Sequence, residues 1–244
     1  GAARWETIRL GSWAPPEGLS PEETVVYGGF FIALADSLGI SLLEPRVDWL
    51  ASLPLELTKR RVRFMPLEEA RNLRERAFYK PSDDKCFLAK IYDDGTQLPQ
   101  AGDRGALPAD VPVLVSDIVT WDLEFRCFIL EGKVATLSPY LRNGQRVDTP
   151  EGDFPASDEE FADAEAFASQ VAATPGINLP PGVVVDVGVM RGDQGDGWAV
   201  IEANAAWGSG IYGCGAPAIL PILRRVCVPT ATISDHDRPW LTPR

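Results

Sequence analysis

Two apolar, β-branched runs that each carry acids restrict the fold more than any other feature of the chain: Val183-Val184-Val185-Asp186-Val187-Gly188 and Ala199-Val200-Ile201-Glu202-Ala203-Asn204. A carboxylate inside a run that packs against apolar neighbours needs compensation. Gly182 to Val189 and Trp198 to Ala205 answer each other across the turn Gly192-Asp193-Gln194-Gly195-Asp196-Gly197 and read as buried neighbouring strands. Period-two geometry puts Glu202 and Asn204 on one face of a strand, where Asp186 from the next strand can join them. The set reads either as hard oxygen ligands for magnesium, with phosphate completing the octahedron, or as a solvent-facing row on an edge strand. Alternation alone leaves both open.

The remaining pattern is mixed. Residues 1–21 read as an irregular lead-in, with prolines and glycines between Gly11 and Gly18. From Pro21, acidic Glu22 and Glu23, the spacing of Phe30, Phe31, Leu34 and Leu38, and a stop at Gly39 predict a helix feeding Ile40 to Leu43. Val47 to Leu53 and Leu67 to Arg76 read as short helices. Phe78–Lys80 and Phe87–Tyr92 read as an antiparallel hairpin around Ser82-Asp83-Asp84-Lys85, which gathers Lys80, Lys85 and Lys90. Val111 to Val119 is β-rich, and with Glu124–Leu130 and Lys133–Tyr140, joined by Glu131-Gly132, it reads as a second sheet. Ser157-Asp158-Glu159-Glu160 is a capping box ahead of Phe161, Ala164, Phe167, Ala168 and Val171, and a last helix runs from Pro217 through Val226. The class is α+β, with antiparallel sheets and covering helices.

Lys80, at a strand end, reads as a point charge for a phosphate or as an ordinary surface lysine, and Lys85 as a loop group able to fold over it. Arg126, between aromatics in Glu124-Phe125-Arg126-Cys127-Phe128, reads as an oriented ion pair, with Glu124 as the simple partner, or as an anion ligand. The glycines of Gly208-Ser209-Gly210-Ile211-Tyr212-Gly213 lack the spacing of a dinucleotide or phosphate loop. The single histidine, His236, sits in a polar turn, which sets aside Ser-His-Asp chemistry. A formal net charge of −12 argues against nonspecific attachment to nucleic acid or to an anionic membrane. Four scattered cysteines without a CxxC pair suggest neither a disulfide framework nor a zinc site and fit a reducing cytoplasm. There is no run of about 18 apolar residues and no apolar core of a secretory signal at the start, so the chain reads as soluble. Gly1 in place of an initiator methionine suggests a trimmed product.

Taken in order, Phe78-Tyr79-Lys80-Pro81, Glu124-Phe125-Arg126-Cys127-Phe128-Ile129, Val185-Asp186-Val187 and Val200-Ile201-Glu202-Ala203-Asn204 resemble the ATP-grasp superfamily. Lys-Pro, the Asp84-Lys85-Cys86-Phe87 loop, Glu-x-Arg and the Gly210-Ile211-Tyr212-Gly213 ending make the chain similar to the small bacterial and phage-associated clade named for one arginine and two lysines. The likeness covers about residues 25–225.

The resemblance implies two α+β subdomains gripping ATP: an N-terminal region 1–75, subdomains 76–120 and 121–230, and a tail 231–244. It places Lys80 on the phosphates, Val115 to Val119 as the hinge beside adenine (Ser116, Asp117, Ile118 and Val119 as nucleotide contacts), and Glu124 at the ribose. Asp186, Glu202 and Asn204 would bind magnesium, and Arg126 and Arg142 would hold the charge on the transferred phosphoryl group. The loop Ser82 to Lys85 is short and charged where many superfamily members have glycine and serine, which gives Lys85 a share in covering the phosphates. The implied activity is ligation of a carboxylate to an amine, of an amino acid or peptide, through an acylphosphate, with ATP converted to ADP and phosphate. A small-molecule kinase and a silent nucleotide-binding module are the alternatives.

Overall fold

The strand and helix order follows from where apolar alternation meets turn residues in the chain. The computed structural model describes residues 6–8, 15, 17–28, 32–83, 85–100, 102, 105–192 and 195–242. The first half carries α1 (Ile32–Ser37), β1 (Ile40–Leu42), α2 (Trp49–Ser52), α3 (Leu55–Thr58), β2 (Val62–Pro66), α4 (Leu67–Asn72), β3 (Ala77–Pro81) and β4 (Lys90–Tyr92). The second adds β5 (Pro112–Ser116), β6 (Thr120–Leu130), β7 (Lys133–Arg142), β8 (Gln145–Arg146), α5 (Asp158–Ala173), β9 (Gly182–Arg191), β10 (Gly197–Asn204), α6 (Ala216–Val226) and β11 (Cys227–Pro229). Among the described residues every strand pairing is antiparallel, and no helix is long and apolar enough to cross a membrane.

The strands form a four-stranded sheet in the order β2-β5-β3-β4, a five-stranded sheet in the order β10-β9-β6-β7-β8, and the pair β1-β11. Glu131 (φ 48°) and Gly132 (φ 75°) both take left-handed backbone between β6 and β7, as a two-residue hairpin turn with the twist of its strands requires; Asn143 (φ 49°) and Gly144 (φ 73°) repeat it between β7 and β8. One face of the five-stranded sheet is apolar. Leu123, Phe125, Cys127 and Ile129 of β6 lie beside Val183, Val185 and Val187 of β9 and pack under Ala164, Ala168 and Val171 of α5. On the other face, Phe128 and Val184 lie under Ile219, Ile222 and Val226 of α6, while Glu124, Arg126 and Asp186 point away from α5. The four-stranded sheet closes its own core around Leu67, Tyr79, Val113 and Val115.

Several expectations are corrected. No helix starts at Pro21: Glu23 N–H donates to the Ser20 carbonyl in a turn, and Thr24-Val25-Val26 then runs without helix, because three β-branched residues followed by Gly28 disfavour one. The helix is confined to α1, and Phe30 and Phe31 lie outside the described residues, as does Asp84 of the β3–β4 loop. The second helix is four residues long and Pro54 separates it from α3. The helix from Leu67 stops at Asn72, short of Arg76. β2 occupies a stretch to which the sequence reading assigns no element, and it draws residues from ahead of position 76 into the four-stranded sheet. β5 pairs with β2 and β3 and so belongs to this sheet, not to the one holding the β6–β7 hairpin. The β3–β4 hairpin forms, with pairing confined to Lys90–Tyr92 on the return strand.

The capping box is present in full: the Ser157 hydroxyl accepts from Glu160 N–H, and the Glu160 carboxylate accepts from Ser157 N–H. Ser157→Ala leaves one of these donors without its partner. We expect a loss of about 1 kcal/mol in urea unfolding at an unchanged denaturant slope, with ligand binding unaffected.

Candidate active site

The site is assembled by strand register. Glu202 of β10 stands opposite Asp186 of β9, Asp186 opposite Arg126 of β6, and Arg126 opposite Ser138 of β7, so one cross-strand row carries acid, acid, guanidinium and hydroxyl. Arg126 binds Asp186 through two bonds, Nε to Oδ1 at 2.9 Å and Nη2 to Oδ2 at 2.7 Å. Its Nη1 donates to the Gly210 carbonyl at 3.2 Å. From the facing four-stranded sheet, Lys80 reaches across and pairs with Glu202. Lys80 can do so because alternation along β3 buries Ala77 and Tyr79 on the far side.

Burial sets the electrostatics. Asp186 has no exposed surface, and desolvation pushes its carboxyl up to about 6 against the pull of Arg126. Burial alone would lower Arg126, but the two bonds to Asp186 outweigh it and hold the guanidinium well above its ordinary range. For Glu202, desolvation is outweighed by Lys80 and Asn204, and the group stays below the usual carboxylate range. Glu124 is pushed up by burial and by Asp186 and Glu202, despite accepting the Tyr140 hydroxyl at 2.7 Å. Arg126 also lies over two rings, 4.9 Å from the centre of Tyr212 and 5.4 Å from that of Tyr140, which stack on each other at 5.1 Å.

The donor set fits a hard divalent cation. Asn204 Nδ2 lies 2.9 Å from Glu202 Oε1 and 3.3 Å from Asp186 Oδ2, so one atom position already touches both carboxylates, and a turn of the amide would bring Oδ1 there instead. Among the described residues no cluster of three or more His, Cys, Asp or Glu side chains is arranged to hold a metal ion.

Other expected residues are placed differently. Ser116, Asp117, Ile118 and Val119 line a cavity of about 630 Å³, together with Arg60, and Lys80, Asp186 and Glu202 lie outside its lining. Asp117 is held there by Arg61, which reaches it through both Nε and Nη2. Lys85 is exposed in the β3–β4 loop and is not brought to the row. Arg142 is a correction. It stands opposite Leu123, on the α5 face of the sheet, and there its guanidinium clasps Glu160 at 2.9 and 3.0 Å. β7 takes up one extra residue, Tyr140, between the pairs Pro139–Phe125 and Leu141–Glu124, and this shift sends Arg142 to the side opposite Arg126, against the alternation from Ser138.

The sequence assigns no role to Arg60 or Arg146, and it marks Tyr140 only as a strand end and Tyr212 only within the Gly210-Ile211-Tyr212-Gly213 ending. Arg146 stands opposite Leu141, itself opposite Glu124, and lies over the Tyr212 ring, 5.4 Å from its centre. The signal available for it is the turn Asn143-Gly144, which fixes the β7–β8 register.

The model of an ATP-grasp domain family, family 2 of the clade named for one arginine and two lysines, matches residues 57–221, more than half of the chain. No curated protein matches. Solved structures that resemble the chain include the ATP-grasp ligase PsnB complexed with minimal precursor (14% identity, 80% of this chain and 57% of that one, TM-score 0.36). D-alanine–D-alanine ligase from Bacillus anthracis complexed with ATP gives 16% identity, 70% and 59% coverage and a TM-score of 0.36. The RimK domain protein ATP-grasp from Sphaerobacter thermophilus DSM 20745 gives 15%, 76% and 67%, and 0.41. The chain spans 57% of the length of the first of these structures.

Asp186→Asn strands a buried guanidinium, whereas Glu202→Gln uncovers only a half-buried lysine. In chemical denaturation we expect a loss of about 3 kcal/mol for the first and less than about 1 kcal/mol for the second.

Proposed function

Because the chain belongs to this clade of ATP-grasp domains, we propose that it is an ATP- and magnesium-dependent ligase that joins a carboxylate to an amine through an acylphosphate. The observation that carries the reading is the in-register row of Glu202, Asp186 and Arg126, with Asn204 beside it and Lys80 entering from the opposite sheet. Lys80 supplies a mobile point charge for a phosphate, and Arg126 a fixed one whose direction Asp186 sets. Magnesium, when bound by Asp186, Glu202 and Asn204, supplies neutralisation of the charge shared by the transferred phosphoryl group and its leaving group.

The substrate carboxylate oxygen attacks the γ-phosphorus and the bond to the β-phosphate oxygen breaks, releasing ADP. The amine then attacks the acyl carbon, forming the C–N bond as phosphate leaves and the amine gives up a proton. Preorganised cations in a site with little exposed surface favour the first step. The cavity at Ser116 to Val119 is of a size to take a purine, and Glu124 is the candidate for the ribose. We assign the grip to the four-stranded sheet of β2 to β5 and the five-stranded sheet of β6 to β10, with an amino acid or peptide as the amine and the cytoplasm as the compartment.

Two measurements test this. In calorimetry, ATP binds in the micromolar range with magnesium, and Glu202→Gln removes the magnesium-dependent gain. Lys80→Met weakens ATP by about tenfold or more while magnesium alone binds more tightly, because Glu202 is released; a fall in both affinities would overturn the division of roles. In turnover, oxygen-18 from a labelled acid appears in the released phosphate only when acid and amine are both present. A phosphorylated acid that accumulates as the end product without amine would identify a kinase instead.

A further inference from the structure

Strict alternation would misplace Glu202. Val200 of β10 stands opposite Val187, and both belong to the apolar face under α5. A regular strand would put Glu202, two residues on, upon that same face opposite Val185, with its charge driven into the core. Instead Glu202 stands opposite Asp186, because β10 takes up one extra residue, Ile201, between the two pairs. Ala203 then returns to the α5 face opposite Val185.

The bulge is held from outside the strand. Successive carbonyls of a regular strand point in opposite directions, but those of Val200 and Ile201 both reach the guanidinium of Arg60, at 2.7 Å from Nη1 and 2.9 Å from Nη2. Arg60 is 6% exposed, its Nη1 also donates to the Thr58 carbonyl at 3.2 Å, and its plane lies 5.0 Å from the centre of the Trp121 ring. β10 is an edge strand with β9 on one side, so carbonyls turned away from β9 meet no strand donor in the sheet.

We infer that Arg60 is a positioning residue: by clamping the bulge at Ile201 from the edge of β10, it turns Glu202 out of the core and aligns it with Asp186 and Asn204 for the cation. This rests on the assignment of Glu202 to magnesium. Arg60 bonds the carbonyls of Val200, Ile201 and Thr58, none of them a side chain of the cation set, and it also lines the cavity at Ser116 to Val119. Lysine cannot replace it, because an ammonium lacks the planar pair of donors that spans two adjacent carbonyls.

The test is the gain in ATP affinity that magnesium confers, measured by calorimetry on the full chain, with folding followed by circular dichroism and thermal unfolding. Arg60→Lys is expected to cut that gain by about tenfold or more; because the gain is the ratio of ATP affinities with and without magnesium, any change at the nucleotide cavity common to both conditions cancels. Deletion of Ile201 makes Glu202 follow Val200 directly and stand opposite Asp186 without a bulge, so it is expected to keep the gain and to make that gain insensitive to Arg60→Lys. In Arg60→Lys combined with Glu202→Gln, no loss beyond that of Glu202→Gln is expected, since both act on one ligand. A folded Arg60→Lys that keeps the full gain, or a loss from Arg60→Lys that persists undiminished in the Ile201 deletion, overturns the inference and leaves Arg60 as a cap on the strand edge. If Glu202→Gln alone keeps the gain, the magnesium assignment falls and the inference falls with it.

Discussion

Asp186 sits at the centre of a five-stranded sheet with none of its surface exposed, and the two-bonded grip of Arg126 makes that position tenable. Each group in isolation would be costly: a buried carboxylate and a buried guanidinium both lose hydration that only a close, well-oriented partner replaces. Because they stand opposite each other on β9 and β6, the pair needs no loop to form it; the register of these two long paired strands suffices. The same register lines up Glu202 on one side and Ser138 on the other. The aromatic rings of Tyr140 and Tyr212 then close over Arg126 and cover its face.

The arrangement also explains why cations and acids alternate in space. The lysine and arginine suited to hold phosphate are bound to the carboxylates suited to hold a cation. Each partner thus orients the other, and Lys80–Glu202 joins the two sheets directly. An isolated surface pair of this kind is worth little, but this one is only 22% and 29% exposed and adjoins a fully buried carboxylate.

Much of this was legible in the residue order, and what was not follows a pattern. Local chemistry could be read: the Ser157 cap, the Glu131-Gly132 hairpin, the carboxylates within β9 and β10, and the antiparallel α+β class all have short-range signals. The ATP-grasp likeness was legible from four separated motifs. Side-chain direction set by distant pairing could not be read. Arg142 points to α5 because β7 takes up an extra residue, Tyr140, against β6, which reverses the face that alternation from Ser138 implies. Likewise Glu202 and Asn204 share a face, as alternation implies, but that face is the reverse of the one shared by Val200; the inserted Ile201 has no composition mark. Arg60 was invisible for a related reason, since its partners are backbone carbonyls 140 and 141 positions away. The Pro21 helix failed where acidic residues suggested a start but Thr24-Val25-Val26 and Gly28 could not continue it.

The pairing of β1 with β11 has a meaning in time. Ile40 meets Pro229, Ser41 meets Val228 and Leu42 meets Cys227, and Leu43 bridges to Leu241, so an early stretch is completed only by one of the latest. The four-stranded sheet, by contrast, draws all its strands from residues 62–116. Closing a chain segment costs more entropy the longer it is, and contacts distant in sequence form slowly. During synthesis the sheet that carries Lys80 therefore has its whole complement of strands long before the ribosome has delivered the residues that seal β1, Trp207 and α6 into their shared core. The sheet that carries Asp186 and Glu202 is completed after the one that carries Lys80, so its assembly sets the moment at which the Lys80–Glu202 pair can first form.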